Sequence, residues 1–311
     1  MRIALMPLSL PPSYESPINL TIDIYKIKAR IIGGSELKEI VLKTKVDVRL
    51  PVDGGLISPN IFAGKALREI EVLTLLVGNK ERRLCDLFEV SGETTDVPSD
   101  QAIRIEASVR SFREIGKGMT GGQILIEGDA GFNVGEEMLG GTITVKEDAG
   151  SWLGSSMTGG LIEVHGNAGN QIGASYRGKG KGMSGGTIVI HGNAGYEVGS
   201  WMQGGFIHVM GDIGQFAGVR MKEGEILING NSEGRLGADM TSGKVVLLGR
   251  VPSILPSFTF EEIRNRATAG KGEFKGKFYL FRGDVNEGGA GRLFISAEAN
   301  PHLKFYEKFL E

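Results

Sequence analysis

The sequence has a single cysteine, Cys85, among 311 residues. One thiol cannot close an intrachain disulfide, hold an iron–sulfur cluster or complete a structural zinc site. Any redox chemistry that the protein serves is therefore expected on other chains. Proline is also sparse, at 10 residues, which excludes a collagen-like or proline-rich linker composition. No stretch approaches the ~20 apolar residues of a membrane-spanning helix. The opening segment MRIALMPLSLPPSYES is broken by Pro7, Pro11 and Pro12 and lacks the apolar run of a signal peptide. A formal charge of −2 gives no bulk attraction to nucleic acid or to an anionic membrane. These absences point to a cytoplasmic, soluble chain with neither nucleic-acid binding nor membrane insertion.

Glycine is abundant instead, at 49 residues, roughly double the average usage of about 7%. Its placement is periodic. Met119, Met138, Met157, Met183, Met202, Met221 and Met240 each open a unit, spaced by nineteen residues except for twenty-six between Met157 and Met183. The unit reads M-x-G-G-x-I-x-V-x-G-N-A-G-x-x-V-G, as in MSGGTIVIHGNAGYEVG from Met183. Three residues past the methionines stand Gly122, Gly141, Gly160, Gly186, Gly205, Gly224 and Gly243, and sixteen past them Gly135, Gly154, Gly173, Gly199, Gly218 and Gly237. Glycine at fixed corners supplies positive φ and lets neighbouring backbones approach.

Between corners, apolar and polar residues alternate with strand periodicity. Ile124, Ile143, Ile162, Ile188, Ile207, Ile226 and Val245 form one inward column, and Ile126, Val145, Val164, Ile190, Val209, Ile228 and Leu247 the next. Stacked in register at ~4.8 Å, such units make ladders of like side chains. The fold expected is all-β, a single-stranded, right-handed parallel β-helix of about seven glycine-cornered coils, roughly 34 Å long. The other two columns of each strand face outward. They run Leu125, Thr144, Glu163, Val189, His208, Leu227, Val246 and Glu127, Lys146, His165, His191, Met210, Asn229, Leu248. Several of these are apolar, which implies either a partner interface or a terminal segment folded back over this face.

The flanks divide the chain into a small β-rich domain at 1–100, the β-helix at 101–257 and a C-terminal extension at 258–311. Residues 18–50 alternate as strands, Asp53-Gly54-Gly55 marks a turn, and Lys65 to Ile70 suits a short helix followed by strands around Gly78-Asn79. Residues 101–117 read as an imperfect first coil, with Ile103, Ile105 and Val109 inward. After Gly249, Pro252 and Pro256 end strand pairing. Strands follow near FYLF and LFISA, then a short C-terminal helix over HLKFYEKFL. Both flanks suit the capping that exposed ends of such stacks need.

No catalytic constellation is visible, and no catalytic, cofactor-binding or metal-ligating residue is assigned. The GxG fragments belong to the nineteen-residue period and are no dinucleotide fingerprint. His165 and His191 share a column in adjacent coils and could begin a metal site, but no carboxylate or thiol column is seen to complete it. The seven extra residues after Met157 give the loop ASYRGKGKGM, where Tyr176, Arg177, Lys179 and Lys181 could grip an anion or a partner carboxylate, or stand solvated. Trp201 and Arg220 share a corner column with Glu137 and Asp239, and Trp152 lies elsewhere in its coil. Large aromatics at variable corners suit interface anchors.

The nineteen-residue unit resembles two related groups, the C-terminal β-helix domain of the glutamate synthase large subunit and the C-subunit of formylmethanofuran dehydrogenase. Similarity to the latter extends to PNIFAGKALREI (59–70), LCDLFEVSG (84–92), IGKGMTGGQILIEGDAG (115–131), YRGKGKGMSGG (176–186) and ILPSF (254–258). The resemblance implies a non-catalytic scaffold subunit of an enzyme that makes formylmethanofuran from CO2, methanofuran and reduced ferredoxin in methanogenesis, or runs in reverse. It places no cofactor on this chain. A tungsten- or molybdenum-pterin, iron–sulfur clusters and a dinuclear metal centre would sit on partners, namely a metal-pterin subunit, an amidohydrolase subunit and polyferredoxin-type subunits. The alternative is the C-subunit of a bacterial formyltransferase/hydrolase complex acting on a formylated methanofuran-like carrier. A free-standing solenoid that binds carbohydrate or glutamate-family substrates would need a carboxylate- or aromatic-lined groove, which these columns lack. Glu147 and Glu223 stand where the unit has glycine, and Ser232-Glu233 replace Ala-Gly. These departures loosen the second and sixth coils without threatening the fold.

Overall fold

Each repeat contributes one short strand, because its two β-branched columns favour extended backbone and bury on one side. The computed structural model describes residues 37–176 and 180–309, which lie in a compact unit from Ser35 to Glu311. The strand pattern expected upstream of residue 37 lies outside the described residues. In chain order the strands are β1 (Lys38–Thr44), β2 (Val52–Asp53), β3 (Thr74–Val77), β4 (Lys80–Arg83), β5 (Phe88–Gly92) and β6 (Gln101–Glu106). There follow β7 (Phe112–Arg113), β8 (Gln123–Ile126), β9 (Thr142–Val145), β10 (Leu161–Val164), β11 (Thr187–Ile190) and β12 (Gln203–Val209). The last are β13 (Glu223–Ile228), β14 (Lys244–Leu247), β15 (Thr259–Ala269), β16 (Gly272–Gly283) and β17 (Gly291–Ser296). The unit is thus mostly β-sheet, with short helical turns such as Pro59–Phe62, Leu67–Glu71 and Leu84–Leu87.

One mixed sheet of 13 strands dominates, in the order β15-β16-β17-β14-β13-β12-β11-β10-β9-β8-β6-β1-β5. From β1 to β17 its pairings are parallel and in register, which sets Ile40, Ile103, Ile124, Ile143, Ile162, Ile188, Ile207, Ile226, Val245 and Leu293 side by side. None of these residues is more than 1% exposed, and each such burial contributes roughly 1.5–3 kcal/mol before ordering costs. A second parallel column of single bridges runs Val109, Ala130, Ala149, Ala168, Ala194, Ile213, Ser232. The methionine column is fully buried between these ladders.

Polar side chains also stack. The Oδ1 of Asp129, Asp148, Asn167, Asn193, Asp212 and Asn231 accepts the backbone N–H of the equivalent residue in the next coil, at 2.6–3.3 Å. The recurring Asn/Asp of the repeat is therefore a hydrogen-bonding column that satisfies backbone donors between strands.

Both ends go beyond the seven units. β6 is the imperfect first coil expected at 101–117, while β1 extends the ladder further upstream and antiparallel β5 covers its end. Downstream, pairing does stop near Pro252 and Pro256, but it resumes with the antiparallel β15–β16 hairpin. β17 then returns parallel to β14 as a further rung. Gly291, Leu293 and Ile295 repeat the Gly-x-apolar-x-apolar spacing of the units, interrupted by the hairpin. The C-terminal segment Pro301–Phe309 is a 3-10 run. The hairpin explains the outward apolar residues of the last coils, where Leu227 and Val246 are buried against Ala267, Ala269 and Phe278. Of the two readings of that face, a terminal segment folded back holds here.

Candidate functional site

The seven-residue insertion leaves the ladder undisturbed, since Ile162 still pairs with Ile188 and Val164 with Ile190. At its start Tyr176 meets the Trp152 ring edge-on, centroids 5.7 Å apart, and Trp152 contacts Phe132 of the preceding coil at 6.3 Å. Phe132 is an exposed aromatic that the sequence pattern does not single out, since the residue one repeat before Trp152 is Asn133 and Phe132 lies beside it. At the loop's end the Lys181 carbonyl accepts from Ser156 Oγ at 2.8 Å, and the Lys181 N–H donates to Ser175 Oγ at 3.1 Å. Arg177 and Lys179 lie outside the described residues.

Trp201 forms a second group. The Arg220 guanidinium sits 5.3 Å above its ring and the Lys222 ammonium 5.9 Å from it, both within cation–π range. Arg220 also pairs with Asp239 at 3.3 Å. The Gly182 N–H donates to the Trp201 carbonyl at 2.9 Å, so the loop's end is tied to this group. Of the residues singled out in the sequence, Trp152 with Tyr176 and Trp201 with Arg220 thus come together in two clusters flanking the insertion, each completed by a residue not singled out. One is Phe132, Trp152 and Tyr176, and the other is Trp201, Arg220 and Lys222. Such half-buried aromatics with fixed cations offer flat, pre-ordered contact area.

The histidine column brings in a group that column-wise reading of the sequence leaves out. His165 and His191 stand with ring centroids 5.0 Å apart. Glu163, two residues before His165 and so on the same face of β10, has Oε1 3.1 Å from His191 Nε2 and 3.9 Å from His165 Nε2. The expectation that no carboxylate accompanies the pair is corrected. Glu163 belongs to the neighbouring outward column, and taking columns separately hides the diagonal. In the next coil His208 is 3% exposed, with Nε2 3.1 Å from Asn229 Oδ1 and Nδ1 lacking a hydrogen-bond partner among the described residues. Burial holds its pKa below the usual histidine value, against the raising effect of Asn229.

A groove lies elsewhere, on the C-terminal hairpin. It measures about 890 Å³ and is lined by Glu262, Arg264, Arg266, Glu273, Lys275 and Arg292, among others. Its charges are partly internal pairs, Arg264 with Glu262 and Arg266 with Glu273. Among the described residues no helix is long and apolar enough to cross a membrane.

The fold and surface define a repeat protein whose interior is filled by aliphatic and methionine side chains and whose distinctive groups lie outside it. No protein-family model matches the sequence. Over 98 residues, 32% of this chain, it is 39% identical to the C-subunit of the tungsten-containing formylmethanofuran dehydrogenase 2 of Methanothermobacter marburgensis, of which 36% is covered. Over 116 residues, 35% of this chain, it is 39% identical to the C-subunit of the molybdenum-containing formylmethanofuran dehydrogenase 1 of Methanosarcina barkeri, of which 38% is covered. The chain thus spans little more than a third of the length of these curated relatives. It is also similar to a chain in the crystal structure of the formyltransferase/hydrolase complex FhcABCD from Methylorubrum extorquens with methylofuran. There the TM-score is 0.72 at 27% identity, covering 83% of this chain and 99% of the other. The resemblance read from the sequence holds: the homologues of this chain are C-subunits of formylmethanofuran dehydrogenase, in tungsten and molybdenum forms.

Proposed function

We propose that this chain is a non-catalytic, cytoplasmic scaffold subunit of a formylmethanofuran dehydrogenase, built as a right-handed parallel β-helix. The assembly would convert CO2, methanofuran and reduced ferredoxin to formylmethanofuran, or run in reverse. The observation that carries the reading is the 39% identity to C-subunits of formylmethanofuran dehydrogenases, and the likeness over 99% of a chain from a multi-subunit formyltransferase/hydrolase complex supports the role of a subunit. The filled interior supports a structural role, because aliphatic ladders occupy the volume in which a substrate would have to bind.

In this reading the metal-pterin, iron–sulfur and dinuclear chemistry belongs to partner subunits, with the chain joining the metal-pterin subunit to the amidohydrolase subunit beside polyferredoxin-type subunits. We assign the two aromatic clusters around the insertion, with Arg177, Lys179 and Lys181, to partner contact. The division at residues 100 and 257 is kept as one of roles, with the first and last segments serving as caps, although β1 and β17 carry the ladder past both bounds. Purification of the native protein with mass spectrometry of co-eluting chains tests the proposal. A metal-pterin and an amidohydrolase chain are expected, and a lone monomer would overturn it. The formyltransferase/hydrolase alternative draws on the solved complex itself, and tungsten or molybdenum in the purified assembly would exclude it.

A further inference from the structure

We propose that Glu163, His165 and His191 form a binding site for a divalent first-row transition metal of the zinc class. The ligand atoms of the three residues all lie within 4.8 Å of one another. Zinc–nitrogen and zinc–carboxylate bonds of about 2.0–2.2 Å at tetrahedral angles place donors roughly 3.3 Å apart. The 3.1 and 3.9 Å separations from Glu163 Oε1 to the two Nε2 atoms bracket that spacing.

The backbone supplies the preorganisation. Glu163 and His165 are successive outward residues, the first on β10 and the second just past its end. The parallel register of β10 and β11, kept through the insertion, puts His191 beside His165. Glu163 is only 6% exposed, so its carboxylate is largely stripped of water, a state that a dication stabilises strongly. The two imidazoles remain about a third exposed, which leaves the site open to entry from one side. Two histidines and one carboxylate are a ligand set for zinc and related metals, leaving one or more positions for water or a further ligand. On binding, the His191 Nε2 contact with Glu163 is replaced by bonds from both groups to the metal, and the imidazole proton resides on Nδ1. His208 on β12 pairs with Val189 and so lies diagonal to His191, with its Nε2 turned to Asn229 Oδ1.

The test uses untagged full-length protein stripped with a chelator and then dialysed against zinc or cobalt(II). Elemental analysis is expected to give one metal per chain, and cobalt to give the visible absorption of a low-coordinate site. His191→Ala and the near-isosteric Glu163→Gln should each weaken uptake by roughly 100-fold or more, since even partners outside the ligand set act at 10–100-fold. His302→Ala, which changes the histidine outside this face, should bind as the wild type does. Circular dichroism checks that each variant keeps its β-sheet signal. Failure of the wild type to retain stoichiometric metal, or equal uptake by a folded Glu163→Gln variant, overturns the proposal. The readout is metal on this chain alone, so it is independent of whether the scaffold reading holds.

Discussion

Every repeat turns through left-handed corners of two kinds, and the contrast between them shows what glycine is for. One kind is all glycine, as at Gly154 (φ +62°) and Gly205 (φ +83°). The other carries Asn133, Trp152, Gln171, Glu197, Phe216 and Arg235 in one column, and Glu137, Ser156, Trp201, Arg220 and Asp239 in another, at φ of +55° to +66°. The backbone conformation is similar, yet the residue types are not. What differs is the space beside the corner. A Cβ on Gly205 would stand 2.6 Å from Met183 Cε of the preceding coil, and one on Gly154 would stand 2.5 Å from Ile188 Cδ1. At the other corners the side chains are at least partly exposed, apart from the buried Asn133, so the fold bears the cost of left-handed backbone, about 1–2 kcal/mol per residue, without a clash in the core. Glycine is thus required by core packing more than by φ.

This distinction can be broken by substitution. Gly205→Val should destabilise most, by about 1–3 kcal/mol from backbone strain and a comparable amount from overpacking against Met183. An unchanged midpoint in denaturant would show that the corner yields. A double-mutant cycle of Gly205→Ala with Met183→Ala should reveal a coupling of about 0.5–3 kcal/mol, and additive effects would mean that φ alone sets the preference. Asn167→Ala removes the acceptor for the Asn193 N–H, 2.9 Å away, and should cost about 0.5–1.5 kcal/mol if side-chain stacking helps to hold the coils in register. Thermal unfolding would detect it. The smallest effect belongs to Arg235→Gly at an outward corner. Relief of left-handed strain offsets the added chain entropy of about 0.5–1 kcal/mol, so stability should shift by less than about 1 kcal/mol. A large loss there would erase the difference between the corner types.

Much of the ladder was legible because stacking repeats one environment every nineteen residues, and Ile124 predicts Ile143 as directly as Ile162. The glycine corners were legible for the same reason. Of the outward corners, the column of Glu137, Trp201, Arg220 and Asp239 was legible, but that of Trp152, Glu197 and Arg235 was not, since these share no chemistry and only the backbone unites them. Glu163 escaped because its relation to His191 runs diagonally across two coils, a proximity that no single column displays. The strand at LFISA was legible, but its place as a further rung beside β14 was not, because a hairpin stands between it and the last unit, although Gly291, Leu293 and Ile295 keep the spacing. Of the surface residues, Trp152 with Tyr176 and Trp201 with Arg220 came together as pairs, whereas Phe132 was missed because a lone exposed aromatic is common.

The return of β17 has a consequence for how the chain folds. Most neighbouring strands of the ladder are joined by about one repeat, nineteen residues, but Lys244 pairs with Arg292, forty-eight residues later. Closing the longer loop costs only about 0.8 kcal/mol more entropy, so equilibrium stability barely registers the detour. The rate does, because distant contacts form slowly. On a chain emerging from the ribosome the coils can zip up behind one another as each repeat appears. The final rung must wait for the hairpin, and until then the β14 edge stands open to whatever strand arrives first.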